Sequence, residues 1–382
     1  MRNGDDLRIV WVGPLQGEQS LLHGTAPHPA TMRWQRTYIG GLRDAGVRTH
    51  WIGHDPHRTW PWGPLYAAGG QAAIDVDASV VPYVNAPLVR TRSLSLGYER
   101  RVVDAVRSID AKCLVTYNVG PWIATAAAAV SRHGVPWIPI VLDFDDPARD
   151  GWESFRAATT GAAGVAFVSH WAFEHAPSPR RFLLPPAIVP RRPAAVMPAA
   201  AQRTILYAGA RSRAGGVDRL IAAMPLLRTP GVRLVMTGQG KGYDRDIARM
   251  TAESDRVEDL GMVPQGELER LALSADVLVN PRPVRTDDSR MNFPSKVLDY
   301  LSYGRPIVST RAPGLGPAFD DLLVFSEGDE PRQLAEAIDG VLGWSPAERT
   351  LFAERCQDFA ERSSLIAASK EFADWLRMVV AA

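Results

Sequence analysis

The chain has 382 residues, 43 Lys or Arg against 42 Asp or Glu, and 46% apolar residues. The length favours two domains, the apolar content excludes a disordered chain, and a net charge of +1 leaves no bulk electrostatic footprint for nucleic acid. The basic residues are 39 Arg and only four Lys (Lys112, Lys241, Lys296, Lys370), which makes Lys296 an uncommon choice.

Cys113 and Cys356 stand far apart, with neither metal-ligand spacing nor a disulfide framework, which fits a reducing cytoplasm. Asp5 and Asp6 precede the first apolar run, against a signal peptide, and no apolar run reaches the length of a membrane span.

In chain order, residues 7–12 predict a buried strand ending at Gly13-Pro14. A loop rich in Gly, His, Pro and Gln runs to about residue 30, then a helix over 34–45 and a strand over 48–52. Strand, loop, helix, strand is the opening of a doubly wound α/β domain, whose ligands bind at the carboxyl ends of its strands. Residues 53–70 hold His54, His57, Trp60, Trp62 and Tyr66 among Pro and Gly, and nine of eleven Trp lie in the first 171 residues. Flat rings suit sugar faces and serve equally as core material. A helix over 98–109, a strand over 113–117, a helix over 121–133 and a strand over 137–144 follow. That strand leads into Asp143, Asp145 and Asp146, a place for chemistry, for a metal, or for helix and turn caps. A strand over 163–169 and a helix over 171–175 precede a Pro- and Ala-rich break at 177–202, read as a linker or hinge.

The pattern then restarts. Strands are predicted over 204–209, 232–237, 257–260, 277–280, 307–310 and 322–325. Helices are predicted over 217–227, 245–252, 266–274, 331–342, 346–360 and 364–380. The last helix reads as packed on the protein rather than on a membrane, since its polar face is not rich in Lys and Arg. Residues 281–293 read as a loop entering the stretch 291–309. There Pro294 and Ser295 predict a helix start, with Ser295 as a cap, and Gly304 and Pro306 predict its end. A helix N-terminus after a polar loop is a prepared anion site, and Lys296 adds a full charge in the first turn. The alternative is an intrahelical Lys296–Asp299 pair.

The ordered set of segments 205–209, 216–221, 234–240, 257–264, 275–281 and 293–306, spanning about residues 204–345, resembles the second domain of GT-B fold glycosyltransferases. The resemblance is in particular to retaining glycosyltransferase family 4; the first half is similar only in pattern, through Val135-Pro136, the Asp cluster and Val168-Ser169. It implies an α/β chain of two Rossmann-like doubly wound domains facing across a cleft. The implied division is an acceptor-binding domain over 1–185, a linker over 186–202, a nucleotide-sugar domain over 203–363 and a helix over 364–382 crossing back to the first domain.

The activity implied is a hexosyl-type transfer from a nucleoside diphosphate sugar, a UDP-sugar first of all, with retention. The acceptor is a hydroxyl of a glycan, a glycolipid or a small natural product. Lys296 and Arg211 fall at the donor phosphates and Asp145 on the acceptor side, as the catalytic set. Gly13, Gly17, Gly209, Arg213, Gly238, Met262, Val263, Asn292, Phe293, Ser295 and Asp299 fall at donor-binding positions, with Asp299 on the ribose and Met262 and Val263 at the base. No cofactor or metal, no nucleic acid and at most a peripheral membrane contact are implied; an Asp143-x-Asp145 metal pattern falls in the wrong domain for this fold.

The departures are specific. Ala210 and Gly215 stand where relatives carry Arg and Lys, so Arg211 or Arg213 is expected to replace one charge and Lys296 to do the rest. Of a pair of acids eight residues apart, the first position is Met291 and only Asp299 remains. A His-Asp of the first domain is Asp145-Asp146. The rival readings are a sugar-nucleotide epimerase of related fold and a non-catalytic sugar-nucleotide-binding subunit. A dinucleotide-dependent oxidoreductase is a third, but Tyr243 leaves the 238–242 glycine pattern short of a G-x-G-x-x-G.

Overall fold

The computed structural model describes residues 7–15, 29–71, 77–144, 151–188, 203–238, 256–284 and 288–382, with Arg249 and Glu253. The chain forms two compact units. The first takes Met1–Val168, His175–Pro185 and Leu365–Ala382; the second takes Ser169–Glu174 and Pro186–Ser364.

In the first unit the strands are β1 (Arg8–Val12), β2 (Arg48–Gly53), β3 (Tyr66–Ala67), β4 (Gly70–Gln71), β5 (Ala78–Val80), β6 (Tyr83–Val84), β7 (Cys113–Tyr117), β8 (Trp137–Val141), β9 (Val165–Phe167) and β10 (Arg181–Leu183). Eight of them form one sheet in the order β10-β9-β8-β7-β1-β2-β5-β4, parallel except at β4–β5, while β3 and β6 form an antiparallel pair. The helices are α1 (Pro29–Asp44), α2 (Arg90–Ile109), α3 (Pro121–Ser131) and α4 (Glu153–Ala158).

α2 starts eight residues before the predicted Tyr98, because Leu94, Tyr98, Val102 and Val106 already fall on one buried stripe. Small polar residues hide that stripe in sequence. β10 corrects the reading of 177–202 as a break: Arg181–Leu183 continues the first sheet beside β9. The remainder of the expected linker, 189–202, lies outside the described residues, as does the helix expected over 245–252 apart from Arg249.

The second unit carries α5 (His170–His175), β11 (Arg203–Ala208), α6 (Val217–Ala223), β12 (Val232–Thr237), β13 (Val257–Asp259), α7 (Gln265–Ser274), β14 (Val277–Asn280), α8 (Asp288–Met291), α9 (Lys296–Leu301), β15 (Ile307–Ser309), β16 (Val324–Phe325), α10 (Pro331–Leu342) and α11 (Pro346–Arg362). All its strands are parallel, in the order β13-β12-β11-β14-β15-β16. Their near-continuous apolar runs follow from burial on both faces. Ile205, Tyr207, Leu234, Met236, Val277 and Val279 enter one core, while the alternating Leu206, Val235 and Leu278 enter the other.

The helix expected over 217–227 stops at Ala223 and tightens into a 3₁₀ turn at Met224–Leu226, where Pro225 interrupts it. α8 breaks the loop expected over 281–293. The α11 start carries a reciprocal capping box between Ser345 and Glu348.

The last helix, α12 (Leu365–Ala381), belongs to the first unit and packs on α1. Gly41 permits this approach: a Cβ there would come 2.1 Å from the Ser369 Oγ. Phe182 of β10 stacks on Trp375 at 5.0 Å and on Phe372 at 5.7 Å between ring centroids. The helix is thus the inner cover of the first sheet's edge rather than a free amphipathic face.

Candidate functional site

In the second unit the strand order reverses between β11 and β14, so a crevice opens at their carboxyl ends. Tyr207 is fully buried one residue before the end of β11, and its hydroxyl donates to the Ala210 carbonyl at 2.6 Å. The Lys296 ammonium lies 4.0 Å from the centre of the Tyr207 ring. The electron-rich ring face is a favourable seat for a cation. Gly209 makes room for it, since a Cβ there would stand 2.8 Å from the Lys296 Nζ.

Burial, with the positive charge of Arg282, pulls the Lys296 ammonium down to about 7. Burial is the larger cause, and the like charge of Arg282 adds to it. Among the described residues no ion pair joins Lys296 to Asp299, so the intrahelical pair is not the arrangement adopted.

Arg282 was not singled out in the sequence. It follows β14 after Pro281, and its carbonyl accepts a hydrogen bond from the Thr310 hydroxyl. The turn before α6 closes over the same segment. Gly216 has φ +74°, and a Cβ on it would come 1.7 Å from the Pro281 carbonyl oxygen. The neighbouring Gly215 faces the Tyr207 hydroxyl, which a Cβ would meet at 2.5 Å. A lysine at 215 would thus displace the tyrosine that seats Lys296. The sequence departure and the Lys296 seat are one packing solution.

The other expected residues separate into distinct places. Arg211 forms an ion pair with Asp259 at the end of β13, so its charge is already matched there. Asp259 also accepts the Gly261 N–H at 3.0 Å and orders the turn that carries exposed Met262 and partly buried Val263. Arg213 opens a 3₁₀ turn, Arg213–Gly215, and its side chain lies outside the described residues. Gly238, at φ +136°, lets β12 pass against β11: a Cβ there would come 1.9 Å from the Gly209 carbonyl.

α9 is shorter than expected, and Ser295 sits in helical geometry with no side-chain cap, which corrects its reading as a capping residue. The Ser295, Val297 and Leu298 N–H groups already donate to Phe293, Pro294 and Ser295 carbonyls. Charge at this corner therefore comes from side chains. Asp299 is exposed.

Met291 is fully buried, so nothing at that position reaches a ligand as an acid would. Beside it, the Asn292 Oδ1 is buried with no hydrogen-bond partner among the described residues, and so is the Asn280 Oδ1 at the end of β14. Buried acceptors of this kind are rare and normally satisfied. Asn280 had one sequence signal: a lone polar residue closing an apolar strand. Phe293 packs on Phe319 at 5.5 Å, and a Cβ on Gly314 would come 2.2 Å from the Asn292 carbonyl. His170 donates its N–H to the Gly314 carbonyl at 3.1 Å, which ties α5 to this loop inside the second unit.

In the first unit Gly13 ends β1, where the strand order also reverses, between β1 and β7. A Cβ on Gly13 would come 1.9 Å from the Oε1 of buried Gln35, which accepts from the Trp11 indole at 3.0 Å. Gly17 and Asp145 lie outside the described residues. His54 is a core residue: its Nδ1 sits 2.7 Å from the Tyr98 hydroxyl, and burial pulls it down to about 4, so it is neutral at neutral pH. Among the described residues no group of three His, Cys, Asp or Glu side chains is placed to hold a metal ion. No helix among them is long and apolar enough to cross a membrane.

Residues 202–343 match the family model of the group 1 glycosyl transferases. The whole chain superposes on solved structures at low identity. Sucrose-phosphate synthase from Thermosynechococcus elongatus is 15% identical, with a TM-score of 0.69 over 98% of this chain and 99% of that one. The α,α-trehalose 6-phosphate synthase from Burkholderia multivorans is 12% identical, with a TM-score of 0.68 over 98% and 99%. The Anabaena HepE protein in complex with UDP-glucose is 15% identical, with a TM-score of 0.65 over 97% and 100%. No curated protein sequence matches the chain. The fold is GT-B, and the second unit carries a group 1 glycosyltransferase domain.

Proposed function

We propose that the chain transfers a hexosyl group from a nucleoside diphosphate sugar, a UDP-sugar first of all, to an acceptor hydroxyl with retention at the anomeric carbon. The acceptor is a glycan, a glycolipid or a small natural product. The observation that carries this reading is Lys296, buried over the Tyr207 ring at the reversal of the strand order and within the field of Arg282. The UDP-glucose complex of HepE supports uridine as the base.

Breaking the anomeric bond leaves negative charge on the diphosphate. Two fixed cations in a partly buried crevice stabilise that charge without reorganising. On the retaining course the departing phosphate oxygen takes the acceptor proton on the same face of the sugar. The orphaned Asn292 Oδ1 accepts a sugar hydroxyl in place of the missing acid at 291, and Asp299 takes the ribose. Asp145 serves the acceptor, and no resident metal is required, because side-chain charge does its work.

Calorimetry with UDP, GDP and dTDP tests the reading, and no heat with any of the three overturns it. The same titration carries a pH prediction. Lys296 is held at about 7, below its ordinary value, so free protein loses its proton as pH rises through 7. A bound diphosphate favours the charged form and raises the value again. Binding above pH 7 therefore takes up a proton and weakens as pH rises, whereas below pH 6 no uptake is seen. Repeating the titration in buffers of different ionisation enthalpy measures the uptake.

Arg282→Gln weakens UDP binding by about tenfold, the scale of one charge-assisted contact. Unchanged affinity in that variant would remove Arg282 from the site.

A further inference from the structure

Eight of the thirteen large apolar side chains exposed among the described residues fall between Trp60 and Leu96. Trp62 is 79% exposed and Leu88 fully so. Single exposed apolar residues need no explanation, but a concentration of this kind marks an interaction face.

The face is built rather than frayed. Buried Asn85 donates through its Nδ2 to the Arg58 carbonyl at 2.6 Å and the Pro64 carbonyl at 2.9 Å. Its N–H donates to the Leu65 carbonyl at 2.7 Å, and its own carbonyl accepts from Trp60 at 3.0 Å. Tyr66 pairs with Val84 across the β3–β6 ribbon. The Arg90 guanidinium donates to the Thr59 hydroxyl at 3.1 Å and lies over the Tyr83 ring. One buried amide thus clamps loop 58–65 to the segment leading into α2 and holds Trp60, Trp62, Leu65, Tyr66 and Leu88 outward.

The charge of the face is of one sign. Residues 58–71 and 78–97 contain Arg58, Arg90 and Arg92 and no Asp or Glu. The described flanking carboxylates have basic partners of their own: Asp55 lies 3.9 Å from the His57 ring, Asp77 pairs with His50 at 2.7 Å and Glu99 with Arg132 at 3.0 Å, while Asp75 lies outside the described residues. A two-fold contact between copies would set three Arg against the same three Arg with no carboxylate to pair them. Trp and Tyr beside Leu, bordered by Arg, match the chemistry of the lipid headgroup layer, where amphipathic rings settle and anionic lipids meet cations.

We propose that this face of the first unit docks the chain on an anionic lipid bilayer, with Trp60, Trp62 and Leu88 entering the headgroup layer and Arg58 and Arg92 meeting the lipid phosphates. The full chain floats with vesicles of phosphatidylcholine mixed with phosphatidylglycerol, stays behind with phosphatidylcholine alone, and is released by salt. Trp62→Ala with Leu88→Ala lowers the partition coefficient by about tenfold or more. Arg92→Gln lowers it by about fivefold, the scale of one cation at an anionic surface. All three side chains are exposed, so an unchanged melting curve establishes that the variants fold. Leu351→Ala, an exposed apolar residue outside the face, floats like wild type. The proposal is overturned if wild type stays behind with the anionic vesicles, or if the Trp62/Leu88 variant floats equally well. A dimer in sedimentation that this double change splits, without vesicle binding by wild type, overturns it in favour of a second copy.

Discussion

Lys296→Ala lowers the turnover number by about a hundredfold or more, the scale of losing one group that stabilises charge in the transition state. Two features of the site make this the largest expected catalytic effect. Arg211 is matched by Asp259, and the usual basic positions are Ala210 and Gly215, so few cations remain at the crevice. Lys296 is also the residue that the Tyr207 ring and the bare face of Gly209 accommodate. Because the diphosphate is charged before and after bond breaking, part of the loss falls on donor affinity and the rest on turnover. Separate measurement of kcat and KM for the donor resolves the two. Wild-type kcat together with wild-type KM for the donor in the variant would reduce Lys296 to a packing residue.

Gly216→Ala is expected to destabilise the second unit by about 3 kcal/mol, combining left-handed backbone strain with overpacking. The residue has φ +74°, and its Cβ would come 1.7 Å from the Pro281 carbonyl oxygen, which is backbone and cannot swing away. The corresponding fall in melting temperature is about 6–12 °C for a unit of this size. The damage also reaches function, because Pro281 precedes Arg282 and any retreat of that carbonyl moves the second cation. Calorimetric melting with and without UDP separates the two consequences: loss of stability lowers the ligand-free transition, and loss of the cation pair shrinks the shift that UDP adds. A ligand-free melt equal to wild type would show that the turn accommodates a methyl group.

The second unit was legible because its strands are buried on both sides and therefore read as unbroken apolar runs, such as Ile205-Leu206-Tyr207 and Val277-Leu278-Val279. Lys296 stood out for the same unit, as one of four lysines in a chain that otherwise uses arginine. Arg282 did not, because one arginine among 39 carries no signal until Gly216 and Thr310 fix the backbone beneath it.

In the first unit the short strands β3 to β6 were missed, since two- and three-residue strands are set by tertiary hydrogen bonds such as those of Asn85 and not by periodicity. β10 was hidden among prolines and arginines; its identity comes from β9 beside it and the Phe372–Trp375 stack beneath Phe182. The cap expected at Ser295 failed because the turn Phe293–Ser295 bends the chain with its own backbone bonds before α9 begins.

The placement of α12 sets an order of assembly during synthesis. Domains generally mature on the ribosome in the order in which they are made. Here the first sheet is made early, but the helix that covers Gly41 and stacks Phe372 and Trp375 on Phe182 follows every residue of the second unit. The first unit therefore waits, with one apolar face uncovered, until the second has been translated. Its nascent form keeps the Gly41 and Phe182 surface exposed for as long as that wait lasts.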